Sequence, residues 1–327
     1  MQLPRSKVPA FGRIQVRLDQ VRELINQQLT TPPKDQALGQ LLDYMNARSG
    51  KMIRPGLVLL SADAVGKITG KHIRIAAIVE IIHNATLLHD DVIDQGQRRR
   101  GLATINHLWG NESAVILGDF LLSQVFKMCA DLSPKIVSII AATAARTCQG
   151  ELRQIIQRQN WQLNEAEYID IITEKSALFL SSCCRLGAIV AKAKKAHVES
   201  LARFGLSAGI AFQITDDLLD VAGDENKTGK TGGKDAERSK LTLAVIHLLK
   251  AVAPSEKATV YDKLNAPAGK NRDALVEMLR SYGSLEYAHN LAQQYLAGAI
   301  RELARIPESD AKEALIEAAK FMANRAV

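Results

Sequence analysis

The stretch that decides the fold is IRIAAIVEIIHNATLLHDDVID, residues 73–94. Its apolar side chains recur every three or four positions and cover nearly the whole circumference of a helix, which predicts a helix buried among other helices. Three acidic residues, Asp90, Asp91 and Asp94, occupy its last turn. Because an unpaired charge is costly to bury, we expect this helix end to bind something positive.

A second stretch repeats the pattern. Residues 198–220, VESLARFGLSAGIAFQITDDLLD, end in Asp216, Asp217 and Asp220. Residues four apart share a helix face, so the outer aspartates of each cluster lie side by side, where like charges cost about 0.2–0.5 kcal/mol per pair. Magnesium relieves this repulsion, because it prefers oxygen ligands and is typically held by one or two carboxylates with substrate phosphates. Two such clusters predict a diphosphate clamped through metal ions, whereas one alone is as readily a solvated acidic helix end.

Composition indicates an all-α fold. Of the 327 residues, 47% are hydrophobic, 24% are charged and only 9 are proline. Apolar residues recur at helical spacing, and the alternating pattern of a half-buried strand is essentially missing. No low-complexity linker interrupts the chain, and the residues that must meet at one site extend from Lys51 to Lys240. We therefore predict a single domain over residues 1–327.

Thiols, charge and hydropathy restrict the surroundings of the chain. With no CxxC pair and no zinc-ligand spacing, we interpret the cysteines as buried small hydrophobes: Cys129, Cys148, Cys183 and Cys184. Reduced thiols and no visible signal peptide favour the cytoplasm. The net charge of +7 is spread along the chain, and its densest cluster lacks aromatic stacking partners, which argues against nucleic acid. No apolar stretch is long enough to span a bilayer, so we predict at most peripheral membrane contact.

Two basic segments flank the first acidic cluster. Residues 98–101, RRRG, place guanidinium groups where they can fork onto phosphate oxygens. Residues 49–55, SGKMIRP, put Lys51 and Arg54 on one face of a helix start. With these segments the chain resembles a trans-polyprenyl diphosphate synthase of the bacterial long-chain type. The matching segments extend from about residue 50 to residue 243 and are LLHDDVID, RRG, GDFLL, EKSALF, FQITDDLLD, GDENKTGKTGGKD and KLTL.

The resemblance implies a bundle of roughly 10–14 helices around a central cavity, the type I isoprenoid synthase fold. It implies magnesium as the cofactor, about three ions with a bound diphosphate. The implied metal ligands are Asp90, Asp94 and Asp216, supported directly or through water by Asp91, Asp217 and Asp220. The implied ligands of the allylic diphosphate are Arg99, Lys175, Ser176, Gln213, Lys230 and Lys240. Those of isopentenyl diphosphate are Lys51, Arg54, His83 and Arg100.

Some of these residues have plain alternatives. A histidine on an apolar helix, such as His83, is often a core residue whose hydrogen bonds are satisfied nearby. Lys175 and Ser176 can equally be an exposed pair on a helix. Residues 223–233, rich in Gly, Lys and Thr and including Lys230, predict a mobile loop that serves as a lid and keeps water from the reaction.

The implied reaction is ionisation, condensation and elimination. Departure of diphosphate leaves an allylic cation, the double bond of isopentenyl diphosphate attacks it, and a proton is lost. No side-chain nucleophile is needed. Product length is predicted from the residues one turn or more before Asp90, namely Ala85, Thr86, Ile82 and Val79. None of them is a bulky aromatic floor, which predicts products of roughly thirty to fifty carbons.

The resemblance also implies a homodimer with a helical interface, and three other functions stay open. A geranylgeranyl or farnesyl diphosphate synthase differs in product length. A terpene cyclase usually carries a second metal motif of Asn, Ser and Glu and needs no isopentenyl diphosphate pocket. A catalytically silent subunit of a heteromeric synthase is free to lose aspartates, and this chain has all six.

Overall fold

The computed structural model describes residues 8–30, 36–46, 50–99, 101–222, 241–264 and 272–324. Within these ranges the chain is almost entirely helical outside its turns, as the predicted all-α class requires. The α-helices are α1 (Gln15–Gln28), α2 (Gln36–Asn46), α3 (Ile53–Val65), α4 (Gly70–Ile93), α5 (Ile105–Cys129), α6 (Pro134–Ile156), α7 (Glu165–Ile172), α8 (Leu178–Val190), α9 (Lys195–Ala222), α10 (Leu243–Ala251), α11 (Lys257–Leu264), α12 (Arg272–Ser281), α13 (Ser284–Glu302) and α14 (Asp310–Ala323). Shorter helical segments are the 3-10 helices Pro9–Ile14, Pro254–Glu256 and Leu303–Arg305 and the π-helix Thr173–Ala177.

A hairpin whose two strands have two residues each is the only β-structure in the described ranges. Strand β1 (Arg98–Arg99) pairs antiparallel with β2 (Leu102–Ala103), with Arg99 opposite Leu102. Gly101 in the turn has a φ of 79°, which glycine adopts without the strain that a side chain adds. Sequence analysis indicated no strand here, because two residues are too few to show an alternating pattern.

The chain divides into two compact units, and each is described by itself. The first unit comprises Met1–Ala142, Ser182–Ala202 and Leu303–Ala318. The second unit comprises Thr143–Ser181, Arg203–Glu302 and Ala319–Val327. The single domain predicted for the whole chain stays a prediction. Among the described helices, none combines the length and the apolar character needed to cross a membrane.

In the first unit α4 is the central helix. It packs against α1, α3 and α5, and Ile75, Ile78 and Ile81 are fully buried. Contacts on several sides suit a helix that is apolar nearly all round, since each removes apolar surface from water at about 25 cal/mol per Å². The helix begins after Thr69, whose backbone N–H donates to Nδ1 of His72 at 2.9 Å. The buried helix predicted from residues 73–94 is therefore present.

In the second unit the core forms around α10, which packs against α7, α12 and α13. Leu248 of α10 is fully buried and belongs to the same apolar cluster as Tyr168 of α7. Ile214 and Leu218 bring the C-terminal part of α9 into this cluster. The segment of α9 that carries the second aspartate cluster is thus anchored in a packed core.

Candidate active site

The first aspartate cluster lies where α4 ends. The helix ends at Ile93, and the N–H of Asp94 donates to the carbonyl of Asp90 at 2.8 Å. Asp90 and Asp94 are half-buried, whereas Asp91 is only 7% exposed. The carboxyl end of a helix carries a partial negative charge, so these carboxylates are repelled by the helix dipole as well as by one another. This helix end therefore attracts cations.

Arg99 of the hairpin supplies one cation. Its Nε donates to Oδ1 and Oδ2 of Asp91 at 2.9 and 3.1 Å, and its Nη2 lies 2.9 Å from Oδ1. Burial by itself lowers the pKa of Arg99, but the charges of Asp91, Asp90 and Asp94 outweigh it and the pKa is raised overall. The structure thus brings Arg99, a predicted ligand of the allylic diphosphate, onto the first aspartate cluster.

The turn between α4 and the hairpin is held by side chains that sequence analysis missed. The N–H of Gly96 donates to the carbonyl of Asp91 at 2.8 Å, and Oγ1 of Thr104 donates to the carbonyl of Gly96 at 2.5 Å. Nδ2 of Asn106 donates to both carbonyls, at 3.2 Å for Asp91 and 3.1 Å for Gly96. Thr104 and Asn106 therefore fix the strand that carries Arg99. No motif marks them, because their partners meet only across the turn.

His89 joins the last turn of α4 to α5. Its Nε2 lies 3.2 Å from the carbonyl of Val115 and 3.6 Å from Oδ1 of Asp119. Gly118 makes room for the ring, since a Cβ at that position would lie 2.2 Å from Nε2. Gly118 and Asp119 belong to GDFLL, one of the segments that carry the family resemblance. Gly118 therefore leaves space for the ring of His89, the residue before Asp90.

A small open cleft lies beside the Asp91–Arg99 pair. It is lined by Met45, Asn84, Leu87, Leu88, Asp91, Arg99 and Ile105. The residues predicted to set product length are not part of this lining. Val79, Ile82 and Ala85 are buried, and the half-buried Thr86 donates through Oγ1 to the carbonyl of His83 at 2.8 Å. Their place along a product tunnel stays a prediction.

Three of the four predicted ligands of isopentenyl diphosphate lie on or beside two helices that pack together. Arg54 is in the first turn of α3, Lys51 lies just before that helix, and His83 is on α4; all three are half-buried. Burial raises the pKa of Cys183 well above its ordinary value, and the positive charge of Arg54 opposes that rise. The negative charge of Glu80 adds to it. The binding role of these residues stays a prediction.

The prediction of four buried cysteines is only partly correct. Cys183 and Cys184 are buried, and burial raises the pKa of Cys184 to about 12, so its thiol is neutral. Cys129 is half-buried. The prediction is wrong for Cys148, which is exposed on α6. Amino-acid type alone could not distinguish it, because exposure depends on which face of α6 its neighbours cover.

Lys175 lies in the π-helix between α7 and α8. Its Nζ donates to Oε1 of Gln154 at 2.7 Å and forms an ion pair with Glu151, both on α6. Lys175 and Ser176 are half-buried and hydrogen-bonded, which disfavours the alternative of an exposed pair. π-helical turns occur frequently at functional sites. Glu151 and Gln154 carried no signal in the sequence, since their contact with Lys175 is tertiary.

The π-helix approaches α6 closely at two further points. A Cβ at Gly150 would lie 2.3 Å from the backbone nitrogen of Lys175, so the approach requires glycine. The buried Glu174 pairs with Arg146 at 2.7 Å and with Arg153 at 3.2 Å. These contacts hold the backbone of Lys175 in place, because removing one partner of a buried ion pair leaves an uncompensated charge.

The second aspartate cluster lies near the end of α9. Asp216 and Asp220 are half-buried, whereas Asp217 is 3% exposed. Asp217 accepts hydrogen bonds from Nε2 of Gln213 at 2.8 Å and from Tyr168 Oη at 2.6 Å. Oγ of Ser176 donates to Oε1 of Gln213 at 2.8 Å. The structure thus connects three predicted site residues and adds Tyr168, which sequence analysis did not identify.

The predicted metal ligands Asp90, Asp94 and Asp216 offer oxygen donors alone. In the part of the chain that the structure describes, no three His, Cys, Asp or Glu side chains are grouped to hold a metal ion by themselves. Oxygen donors are the ligands that magnesium prefers, and it completes its coordination with water and substrate phosphate oxygens. That the two clusters face one diphosphate stays a prediction. Outside the described residues lie Arg100, Lys230, Lys240 and the predicted lid, residues 223–233.

The fold has a solved counterpart. It is similar to the crystal structure of a polyprenyl synthase from Caulobacter crescentus CB15 complexed with calcium and isoprenyl diphosphate. The TM-score is 0.92, the sequences are 30% identical, and 100% of each chain is covered. Fold and site together define an all-helical isoprenoid synthase, as the resemblance implied.

The sequence comparisons identify the family. The family model for polyprenyl synthetase matches residues 35–281. The chain is 32% identical to the octaprenyl diphosphate synthase of Haemophilus influenzae, covering 99% of each. It is also 32% identical to the short chain isoprenyl diphosphate synthase of Methanothermobacter thermautotrophicus, covering 86% of this chain and 89% of that relative. This chain belongs to the polyprenyl synthetase family, and the predicted prenyltransferase activity is confirmed.

Proposed function

We propose that this chain condenses isopentenyl diphosphate with an allylic diphosphate, in the presence of magnesium, to give a long-chain all-trans polyprenyl diphosphate. The observation that carries the proposal is a pair of apolar helices, α4 and α9, that each end in a DDxxD cluster. The similar Caulobacter enzyme was crystallised with calcium and isoprenyl diphosphate, which supports a divalent cation and a substrate of this class.

Magnesium would be held by Asp90, Asp94 and Asp216, about three ions with one diphosphate. When bound it neutralises the leaving diphosphate and so lowers the barrier to its departure. The half-buried carboxylates suit this cation because their repulsion at a helix carboxyl end is relieved by positive charge. The other aspartate of the first cluster is already paired with Arg99.

The diphosphates are bound by the cationic and polar side chains of the site. Lys175, held by Glu151 and Gln154, presents its ammonium group to the allylic diphosphate together with Arg99. The remaining ligands of that diphosphate are Ser176, Gln213, Lys230 and Lys240. Isopentenyl diphosphate is bound by Lys51, Arg54, His83 and Arg100.

The reaction proceeds in three steps: ionisation, condensation and elimination. The allylic C–O bond breaks and its electron pair leaves with diphosphate, which gives an allylic cation. The double bond of isopentenyl diphosphate supplies the pair that forms the new C–C bond, and a C–H bond then breaks to restore an alkene, its proton passing to the departed diphosphate. The protein orients both substrates, stabilises the leaving charge and excludes water, which would trap the cation as an alcohol. Residues 223–233 are the proposed lid.

The proposal also covers product length, which depends on the residues of α4 that precede Asp90. Ala85 and Thr86 are small, and Ile82 and Val79 lie deeper along the same helix, so nothing aromatic stops a growing chain there. We expect products of roughly thirty to fifty carbons, measured by a tunnel between helices. The relatives include both an octaprenyl and a short chain synthase, so product length needs its own measurement.

The proposed assembly is a homodimer formed through α5. This helix exposes large apolar side chains, with Ile116 at 66% and Phe126 at 76%. Exposed apolar surface of this kind marks a protein interface, and a second copy of the chain is the occupant that the family resemblance implies. Phe126→Glu should give monomers in light scattering, whereas Val16→Glu, at a 71% exposed position on α1, should not. Dimers in both variants contradict the α5 interface.

One assay tests the activity. The purified chain is incubated with magnesium, labelled isopentenyl diphosphate and farnesyl diphosphate, and the lipid products are sized. Long labelled products that require magnesium support the proposal, and labelled products of only twenty carbons identify a geranylgeranyl diphosphate synthase. Consumption of farnesyl diphosphate without incorporation of label identifies a cyclase. No consumption leaves a silent subunit or a farnesyl diphosphate synthase, and a second incubation with geranyl diphosphate distinguishes them, because only the synthase then incorporates label. The free thiols of all four cysteines support the proposed cytoplasmic location.

A further inference from the structure

Asp217 is the middle residue of the second aspartate cluster, and protein donors bind both of its carboxylate oxygens. Oη of Tyr168 donates to Oδ2 at 2.6 Å, and Nε2 of Gln213 donates to Oδ1 at 2.8 Å. Tyr168 is 2% exposed and Asp217 3%. A buried carboxylate that accepts a hydrogen bond at each oxygen is held in one orientation.

These hydrogen bonds can run in only one direction. A carboxylate accepts and does not donate, so the amide NH₂ of Gln213 must face Asp217. Its Oε1 then faces Ser176, whose hydroxyl must donate across the 2.8 Å contact. Asp217 therefore determines which way the Gln213 amide and the Ser176 hydroxyl point. Without a charged partner, the oxygen and nitrogen of an amide could be exchanged and the hydrogen bonds would still fit.

The contacts also join three separate elements of the second unit. Tyr168 lies on α7, Gln213 and Asp217 on α9, and Ser176 in the π-helix beside Lys175. Tyr168 and Asp217 are 49 residues apart, and Ser176 and Gln213 are 37 apart. A buried polar network in which every member has a partner is rigid and specifies one arrangement.

We infer that Tyr168 and Asp217 are positioning residues: with Ser176 on the amide oxygen, they hold the Gln213 amide so that its second N–H can bind the allylic diphosphate. The inference rests on the proposed function, because it assigns Gln213 and Ser176 to that diphosphate. The cluster thus divides into a positioning residue and candidate ligands.

The test compares Tyr168→Phe and Asp217→Asn with Asp216→Asn. For the first two variants we expect the KM for farnesyl diphosphate to rise about tenfold, the typical effect of losing a hydrogen bond to a charged group. Their KM for isopentenyl diphosphate and their magnesium requirement should stay near wild type. Asp216→Asn should instead raise the magnesium concentration needed for half-maximal rate. An Asp217→Asn variant with the same magnesium defect as Asp216→Asn overturns the inference.

A matched control is Tyr287→Phe. Oη of Tyr287 donates to Oε2 of Glu165 at 2.6 Å, so the substitution removes an exposed tyrosine–carboxylate hydrogen bond at the start of α7 that does not involve Gln213 or Ser176. It should leave the KM for farnesyl diphosphate unchanged. An equal rise in Tyr287→Phe and Tyr168→Phe would show a general structural effect and overturn the inference. Ser176→Thr, which keeps the hydroxyl, should lose less affinity than Ser176→Ala.

A binding measurement separates this inference from the proposed function. Calorimetry with a non-reactive thio analogue of farnesyl diphosphate and magnesium gives the dissociation constant for each variant. A wild-type chain that binds the analogue but forms no product contradicts the proposed function alone. Unchanged analogue binding by Tyr168→Phe, with wild-type binding intact, contradicts the positioning role alone. No binding by the wild-type chain contradicts both.

Discussion

Arg99 and Asp91 form a two-pronged ion pair at the end of α4, with Nε 2.9 Å from Oδ1 and 3.1 Å from Oδ2. The pair attaches the hairpin to the helix that carries the first aspartate cluster. Asp91 is the middle residue of its DDxxD motif, as Asp217 is of the other, and protein donors bind both. The middle aspartates therefore organise their surroundings, while the outer ones are the candidates for metal binding.

Arg99→Lys keeps the positive charge but removes the planar fork. Losing hydrogen bonds to a charged group costs about 1.5–3 kcal/mol, so kcat/KM for the allylic substrate should fall roughly tenfold to a hundredfold. Steady-state kinetics measure this, with Arg98→Lys on the same strand as the control. Equal losses in both variants would mean that the loss is not specific to the Arg99 fork and would contradict its role.

Gly118→Ala should destabilise the chain, because the new Cβ would lie 2.2 Å from Nε2 of His89. Overpacking of this kind costs about 1–3 kcal/mol in free energy of unfolding. Urea unfolding measures it, and the cost should shrink in a His89→Ala background, where the ring is gone. Gly70→Ala, with nothing within 4 Å of its Cβ, is the control. The same cost with and without the ring would contradict this packing.

Iodoacetamide at about pH 8 should label the exposed Cys148 and leave Cys183 and Cys184 unmodified until the chain unfolds, because only the thiolate reacts. Burial raises the pKa of both thiols, that of Cys184 from 9.0 to about 12. Because the pKa of Cys184 is higher in the folded chain, folding favours the neutral thiol. The contribution of Cys184 to the free energy of unfolding is therefore complete below pH 9.0 and is lost as pH rises toward 12. Mass spectrometry counts the labels, and Cys148→Ser should remove the native-state label. Labelling of Cys184 in the folded chain would contradict its burial.

Ala85→Phe should shorten the product, since an aromatic ring at this position would close a tunnel that runs along α4. Asn84→Phe is the control, because Asn84 lines the separate cleft beside Asp91 and Arg99. Product sizing distinguishes the two faces of the helix, and thermal melts show whether each variant is folded. Shorter products from Asn84→Phe alone would place the measuring surface in the cleft.

Much of the site was predictable because its signals are local. Helical periodicity and the i, i+4 spacing of Asp90 with Asp94 depend only on neighbours along the chain, so helix class, buried α4 and both aspartate clusters follow from sequence. The cysteine prediction failed at Cys148, because residue type does not say which helix face is covered. The hairpin at Arg98–Arg99 was also missed, since a two-residue strand has no period to detect.

By itself the sequence determined which residues can carry charge at which helix ends, and hence the class of chemistry. Only tertiary structure decided their partners: Arg99 for Asp91, Tyr168 for Asp217, and Glu151 with Gln154 for Lys175. The physical reason is that side-chain hydrogen bonds reach about 3 Å, so a partner is chosen by which elements pack together. That packing sums many weak contacts over the whole unit, and no short motif contains it.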